Sequence, residues 1–168
     1  MKWYLGIDIS KGYADFVLLS DQLIQVDQTF QLDDTRQGHE HLASWLATLY
    51  KRHPDLHVDC AVESTGGFED NWYALLLKLS STLSIRVARL NPSVVKNASK
   101  AMLNANKTDA ESAREIASYL KRFEDQVDYR VRSDHYTSFR SLHNHLELVK
   151  KQKTQVINEL KQLLYSSF

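Results

Sequence analysis

Residues 3–19 read Trp3-Tyr4-Leu5-Gly6-Ile7-Asp8-Ile9, then Ser10-Lys11-Gly12, then Tyr13-Ala14-Asp15-Phe16-Val17-Leu18-Leu19. Two apolar runs rich in β-formers flank a turn-like triplet, the pattern of a β-hairpin. A weaker run over residues 24–32 extends it to a three-stranded antiparallel meander, before Asp33-Asp34-Thr35 breaks the pattern. From about 35 to 53, Leu42, Trp45, Leu46 and Leu49 recur at helical spacing, and Pro54 stops the helix. Residues 58–63 read as a fourth strand. Ser64-Thr65-Gly66-Gly67 then turns the chain into a helix carrying Trp72, Leu75, Leu76 and Leu79, and residues 84–90 read as a fifth strand. Asn91-Pro92 sets a capping residue before a proline at the first helical position, opening a helix with Val95, Ala98 and Met102. A meander feeding β-α-β-α units predicts an α/β fold, a mixed five-stranded sheet flanked by helices.

Thr108-Asp109-Ala110-Glu111 has the form of a capping box, so a helix is expected from Asp109 to about Phe123, with Ala113, Ile116, Ala117 and Leu120 as its apolar stripe. After a polar stretch over 124–133, Phe139, Leu142, Leu146, Val149, Lys153, Val156, Leu160 and Leu163 follow a heptad seam in which Lys153 alone is polar. That spacing predicts a long helix over roughly 134–166. It either zips with a second chain or packs back on its own sheet, and self-association into a homo-oligomer is the favoured expectation. The expected domains are residues 1–125 and a coiled-coil helix over 134–168. The helix reaches the last residue without a glycine cap or a proline stop, so the sequence reads as truncated before a further domain.

The 168 residues are 43% hydrophobic, enough to bury a core, which excludes collagen-like and disordered classes. Lysine plus arginine and aspartate plus glutamate both total 21, so any nucleic-acid partner has to be argued from local charge. Locally the charge is uneven. Residues 85–107 hold Arg86, Arg89, Lys96, Lys100 and Lys107 and no acid, whereas residues 8–71 are predominantly acidic. Lys96 and Lys100 are four apart on one helix face, suited to phosphate oxygens or to an ordinary solvated surface. A lone Cys60 closes no intrachain disulfide and builds no multi-cysteine metal site, which fits a reducing cytoplasm. No stretch approaches the ~20 apolar residues of a membrane span, so no membrane partner is expected.

Three acids from distant segments fall at element ends: Asp8 near the end of the first strand, Glu63 at the end of the fourth, Asp109 at the start of a late helix. An acid in an apolar strand is costly to bury unless it meets a cation or a donor, and strand ends are where α/β sheets bind ligands. Carboxylates from adjacent elements bind Mg²⁺ or Mn²⁺, and a metal so held assists phosphodiester chemistry. Each acid also has a plain structural role open to it: Asp8 capping the turn, Glu63 ending a strand in solvent, Asp109 favouring a helix N-terminus. Asp109 lies on the apolar stripe of its helix, where a solvated acid is unexpected.

Four blocks in order, Gly6-Ile7-Asp8-Ile9-Ser10-Lys11, Val62-Glu63-Ser64-Thr65-Gly66-Gly67-Phe68-Glu69, Asn91-Pro92 and Lys107-Thr108-Asp109-Ala110, resemble the N-terminal DEDD domain of insertion-sequence one-ten family transposases, relatives of the pilin-gene inverting recombinase. The resemblance spans about residues 1–125, and the heptad helix is similar to the coiled-coil segment that follows in that family. It implies a ribonuclease H-like (RuvC-like) fold and a catalytic Mg²⁺ (or Mn²⁺) site in which Asp8, Glu63 and Asp109 match the first three family acids. It further implies a bacterial, cytoplasmic DNA recombinase acting on insertion-sequence ends, in some relatives directed by a structured bridge RNA, with a serine nucleophile on a C-terminal domain that this sequence lacks. The implied nucleic-acid contacts are Lys11, Arg86, Arg89, Lys96, Lys100 and Lys107. The family pattern places a fourth acid where this chain has Ser112, a neutral, weak ligand, so metal binding is expected to be weaker and this fragment alone inactive. Glu111 and Glu115 lie ~200° and ~240° round the helix from Asp109, so neither shares its face.

Two other classes share some of these features. A non-catalytic nucleic-acid-binding or dimerisation module with a degraded metal site is consistent with Ser112. A sugar kinase or actin-like ATPase also begins with a Gly-Ile-Asp strand, but this sequence carries no later glycine-rich phosphate loop and no second lobe.

Overall fold

A computed structural model describes residues 1–100, 109–131 and 134–165, with side chains at all of these except 99–100, 109–110, 134–138 and 140–141. β1 (Lys2–Ser10) and β2 (Tyr13–Ser20) pair antiparallel with Ser10 opposite Tyr13, so Lys11 and Gly12 make the turn between them. Gly12 takes a φ of 91°, a left-handed conformation that glycine adopts without a steric penalty. β3 (Phe30–Asp33) completes the meander but is shorter than the expected 24–32. Asp27 accounts for the difference. Its carboxylate accepts the Gln28 backbone N–H at 2.8 Å and the Trp45 indole N–H at 3.0 Å, turning the chain, which meets β2 through the Leu19–Gln25 bridge.

α1 (Arg36–Arg52) is capped by Thr35, whose hydroxyl accepts the Gly38 N–H at 3.2 Å. β4 (His57–Glu63) lies parallel to β1, and α2 (Asp70–Leu79) leads to β5 (Ile85–Leu90), parallel to β4. The sheet order is β3-β2-β1-β4-β5, a mixed five-stranded sheet of the expected class. Asn91 caps α3 (Pro92–Lys100) as its position suggests, its side-chain oxygen accepting the Ser93 N–H at 2.9 Å. α4 (Asp109–Arg122) precedes a single 3-10 turn at Glu124–Gln126, and α5 spans Asp134–Tyr165. None of the described helices is long and apolar enough to cross a membrane.

Alternation along the strands sorts their side chains to two faces. Leu5, Ile7 and Ile9 join Phe16, Leu18 and Val62 against Leu42 and Leu46 of α1 and Trp72 and Leu76 of α2. Tyr4, with Val17, Leu19, Ala61 and Ala88, meets Ala113, Ile116, Ala117 and Leu120 of α4. Gly6 belongs to this second face. A Cβ there would sit 1.9 Å from the Ala113 carbonyl oxygen and 2.5 Å from the Ala117 nitrogen, so α4 rests directly on the β1 backbone. Farther along, the Tyr4 hydroxyl donates to Glu124 at 3.2 Å and Lys2 pairs with the same carboxylate. α4 therefore runs antiparallel to β1 and begins at its carboxyl end.

The amino ends of the strands are tied by a buried carboxylate. Asp59 is fully buried and accepts from Arg86 Nε at 2.7 Å and Nη2 at 2.6 Å, with Lys2 Nζ 3.0 Å and His57 Nε2 2.9 Å away. Burial pushes its pKa up, but hydrogen bonds and charge from Arg86 and Lys2 prevail and hold it below the usual aspartate range.

The chain divides into two units, Met1–Tyr129 and Arg130–Phe168. The second contains α5, along which Phe139, Leu142, Leu146, Val149, Val156, Leu160 and Leu163 are all exposed.

Candidate active site

The parallel register of β1 and β4 runs to Ile7 opposite Val62, so Asp8 and Glu63 are the next residues on neighbouring strands. Register-matched residues of a parallel pair face the same side. Gly6 and Ala61, two residues earlier on each strand, face α4, so Asp8 and Glu63 do as well. Both are half-buried. Across the hairpin Asp8 is opposite Asp15, which is 7% exposed and accepts from the Gln31 amide at 3.3 and 3.2 Å. Three neighbouring strands thus present an acid to one face at one end of the sheet.

α4 begins over that same end. Asp109 stands one turn before Ala113, the residue resting on Gly6, and the half-buried Ser112 is three residues after it, on the same side of the helix. The helix N-terminus adds a partial positive charge there, which favours nearby carboxylates. The Asp109 side chain lies outside the described residues, as do the Lys100 side chain and Lys107. Among the described residues, no three Asp, Glu, His or Cys side chains are grouped so as to hold a metal ion. Asp8 and Glu63 lie on adjacent strands and face the side of the sheet on which α4 begins.

Directly after Glu63 the chain is held from within. Glu69 is fully buried, and its carboxylate accepts from Ser64 Oγ at 3.1 Å, Thr65 N at 3.0 Å, Thr65 Oγ1 at 3.2 Å and Gly67 N at 2.9 Å. Arg89 Nη1 lies 3.5 Å from the same carboxylate. Burial raises the Glu69 pKa, and hydrogen bonds from its own backbone N–H, from Gly67, Ser64 and Thr65 more than reverse it, holding the group ionised below the usual glutamate range.

Among the described basic residues of 85–107, Arg86 and Arg89 lie on opposite faces of β5. Arg86 is committed to Asp59 and stacks 4.2 Å over the Tyr129 ring. Arg89 leaves the opposite face of β5, where it pairs with Asp70 at 2.8 Å and stacks 4.2 Å over Tyr73. Both arginines serve the fold, because buried carboxylates on β4 and ahead of α2 need a cation. Lys11 in the hairpin turn and Lys96 on α3 are exposed. α3 starts where β5 ends, so Lys96 sits at the Asp8 end of the sheet.

Sequence reasoning passed over Asp15, Asp59 and Glu69. The criterion that singled out Asp8, an acid within an apolar strand, applies equally to Asp15 and Asp59. Period two places Asp59 on the Glu63 face. Glu69 gave no such signal, since an acid beside a helix start is ordinary.

No curated protein matches the chain. Its fold is similar to that of Thermus thermophilus RuvC solved in complex with Holliday junction substrate, with a TM-score of 0.55 and 11% identity over 76% of this chain and 99% of that one. A second Thermus thermophilus RuvC structure gives a TM-score of 0.52 and 12% identity over 75% and 98%. These likenesses show a RuvC-like fold. The family model for IS110-type DEDD enzymes, described as "Transposase", matches residues 5–168. That match takes in both units of the chain, which therefore belongs to the IS110-type DEDD transposase family.

Proposed function

We propose that this chain is a DNA transposase or recombinase catalytic domain whose Asp8, Glu63 and Asp109 hold Mg²⁺ or Mn²⁺ for phosphodiester chemistry on insertion-sequence ends. The observation that carries this reading is the placement of Asp8 and Glu63 side by side at the carboxyl ends of parallel strands, on the face where α4 begins. The donors are hard carboxylate oxygens without cysteine or histidine, which suits magnesium or manganese over softer metals. Bound there, such an ion supplies Lewis-acid stabilisation of a phosphoryl centre. The chain's own part is to hold two acids on a rigid sheet and oppose them with a helix N-terminus.

DNA as partner rests on family membership and on the solved RuvC that contains Holliday junction substrate. A structured guide RNA choosing that DNA belongs to the same reading. Lys11 and Lys96 are exposed at the acid end, and each contributes a phosphate contact. A salt titration of DNA binding is expected to show the log–log slope falling by ~0.9 for each of Lys11→Ala and Lys96→Ala. Slopes equal to wild type would remove these lysines from the interface.

The exposed seam of α5 fits a second copy of the chain, which makes the protein a homo-oligomer. Sedimentation of wild type and of Leu146→Glu/Leu160→Glu checks this. The variant is expected to run as monomer where wild type associates, and equal masses would refute it.

Ser112 favours a second reading, a nucleic-acid-binding or dimerisation module with no catalysis of its own. On that reading wild type binds neither Mg²⁺ nor Mn²⁺.

A further inference from the structure

We infer that Glu69 is a positioning residue for Glu63: by gathering the backbone and hydroxyl donors of residues 64–67 onto one buried carboxylate, it fixes where the chain leaves β4 and so where the Glu63 carboxylate stands. The inference rests on the reading of Glu63 as a metal ligand.

A fully buried carboxylate is tolerated when it is paired and hydrogen-bonded. The four hydrogen bonds Glu69 accepts from Ser64, Thr65 and Gly67 all come from the residues that immediately follow Glu63. Glu69 occupies the N-cap position of α2 yet makes no side-chain capping bond to that helix. Its chemistry is directed back at the loop. That loop follows a path only glycine takes readily, with Gly66 at φ 88° and Gly67 at φ 127°, and the Glu69 carboxylate accepts the Gly67 N–H at its end. The loop root is anchored too. Ser64 N donates to Leu90 O at 2.9 Å, and Val62 pairs with Arg89, whose guanidinium also reaches Glu69. Glu63 thus sits between two fixed residues, and Glu69 with Arg89 fixes the far side. A functional carboxylate must be held within about 0.5 Å of its working position, and loss of a partner that orients a ligand typically lowers metal affinity 10–100-fold.

The test is Mn²⁺ binding to the full chain, read by electron paramagnetic resonance alongside thermal melts, for wild type, Glu69→Gln, Gly67→Ala, Asp8→Asn and Asp59→Asn. Gly67→Ala opens the loop without touching a charge, since a Cβ there meets nothing nearer than Asp70 Oδ2 at 3.8 Å and the strain is in φ alone. It decides the matter if Glu69→Gln fails to fold. Asp59→Asn is the matched control, equally buried and arginine-paired, but four residues and about 13 Å up β4 from Glu63. Both Glu69→Gln and Gly67→Ala are expected to weaken Mn²⁺ binding 10–100-fold. Asp59→Asn is expected to melt earlier and bind Mn²⁺ like wild type. Wild-type affinity in folded Glu69→Gln and Gly67→Ala, or equal weakening by Asp59→Asn, overturns the inference while leaving the metal site standing. Absence of binding in wild type, or binding that survives Asp8→Asn, overturns the metal site and the inference with it.

Discussion

Replacing Gly6 with alanine is expected to destabilise the chain by about 3 kcal/mol, the upper end of the usual penalty for overpacking. The added Cβ would lie 1.9 Å from one backbone atom of α4 and 2.5 Å from another, so no side-chain rotation relieves the clash. The helix has to move. Because α4 also carries Asp109 and Ser112 over Asp8 and Glu63, its displacement is expected to weaken divalent-ion binding in whatever fraction remains folded. A urea titration checks the first effect through a lower midpoint at unchanged slope. A wild-type midpoint would mean that α4 does not rest on β1 as described.

Asp59→Ala is expected to be as severe, about 3 kcal/mol, the low end for breaking a buried pair, because it removes the buried acceptor and leaves Arg86 and Lys2 only the part-exposed Glu124 carboxylate. Arg86 and Lys2 would both lose their shared carboxylate at the sheet's amino end. The pair also gives stability a pH dependence whose direction is fixed. The folded pKa of Asp59 lies below its ordinary value of 3.8, so its contribution is full above that pH and is lost as pH falls through the lower folded value. Wild type is therefore expected to lose urea resistance on acidification, and Asp59→Ala to lose correspondingly less. Parallel pH profiles for the two proteins would contradict the assignment.

Much of the fold could be read from the chain because its signals are local. The hairpin needs the alternation of residues 3–19 and a glycine at 12, α3 needs Asn91-Pro92, and α5 follows from its heptads. β3 is shorter than its sequence pattern because Asp27 turns the chain through its contact with Trp45, a residue distant in sequence. The same reason explains Arg86 and Arg89. As a run of basic residues they resemble a phosphate-binding segment, and their ion-pair partners within the fold, Asp59, Glu69 and Asp70, become visible once β4, β5 and α2 are adjacent. Asp8 and Glu63 were legible because an acid closing an apolar strand stands out, and parallel pairing then sets them side by side. Glu69 becomes apparent through a loop that closes on itself, which leaves no sequence pattern, whereas Asp15 meets the same criterion as Asp8 and cross-strand register sets the two opposite each other.

The proposed function requires acids from β1, β4 and the first turn of α4 to share one divalent cation. Calorimetric titration of the chain with Mn²⁺, comparing wild type with Asp8→Asn, Glu63→Gln and Asp109→Asn, tests it most directly. On the proposed function each substitution removes a ligand, so the expected loss is at least the ~100-fold upper bound for removing a supporting partner. Wild-type affinity in any one of the three variants would contradict the shared site.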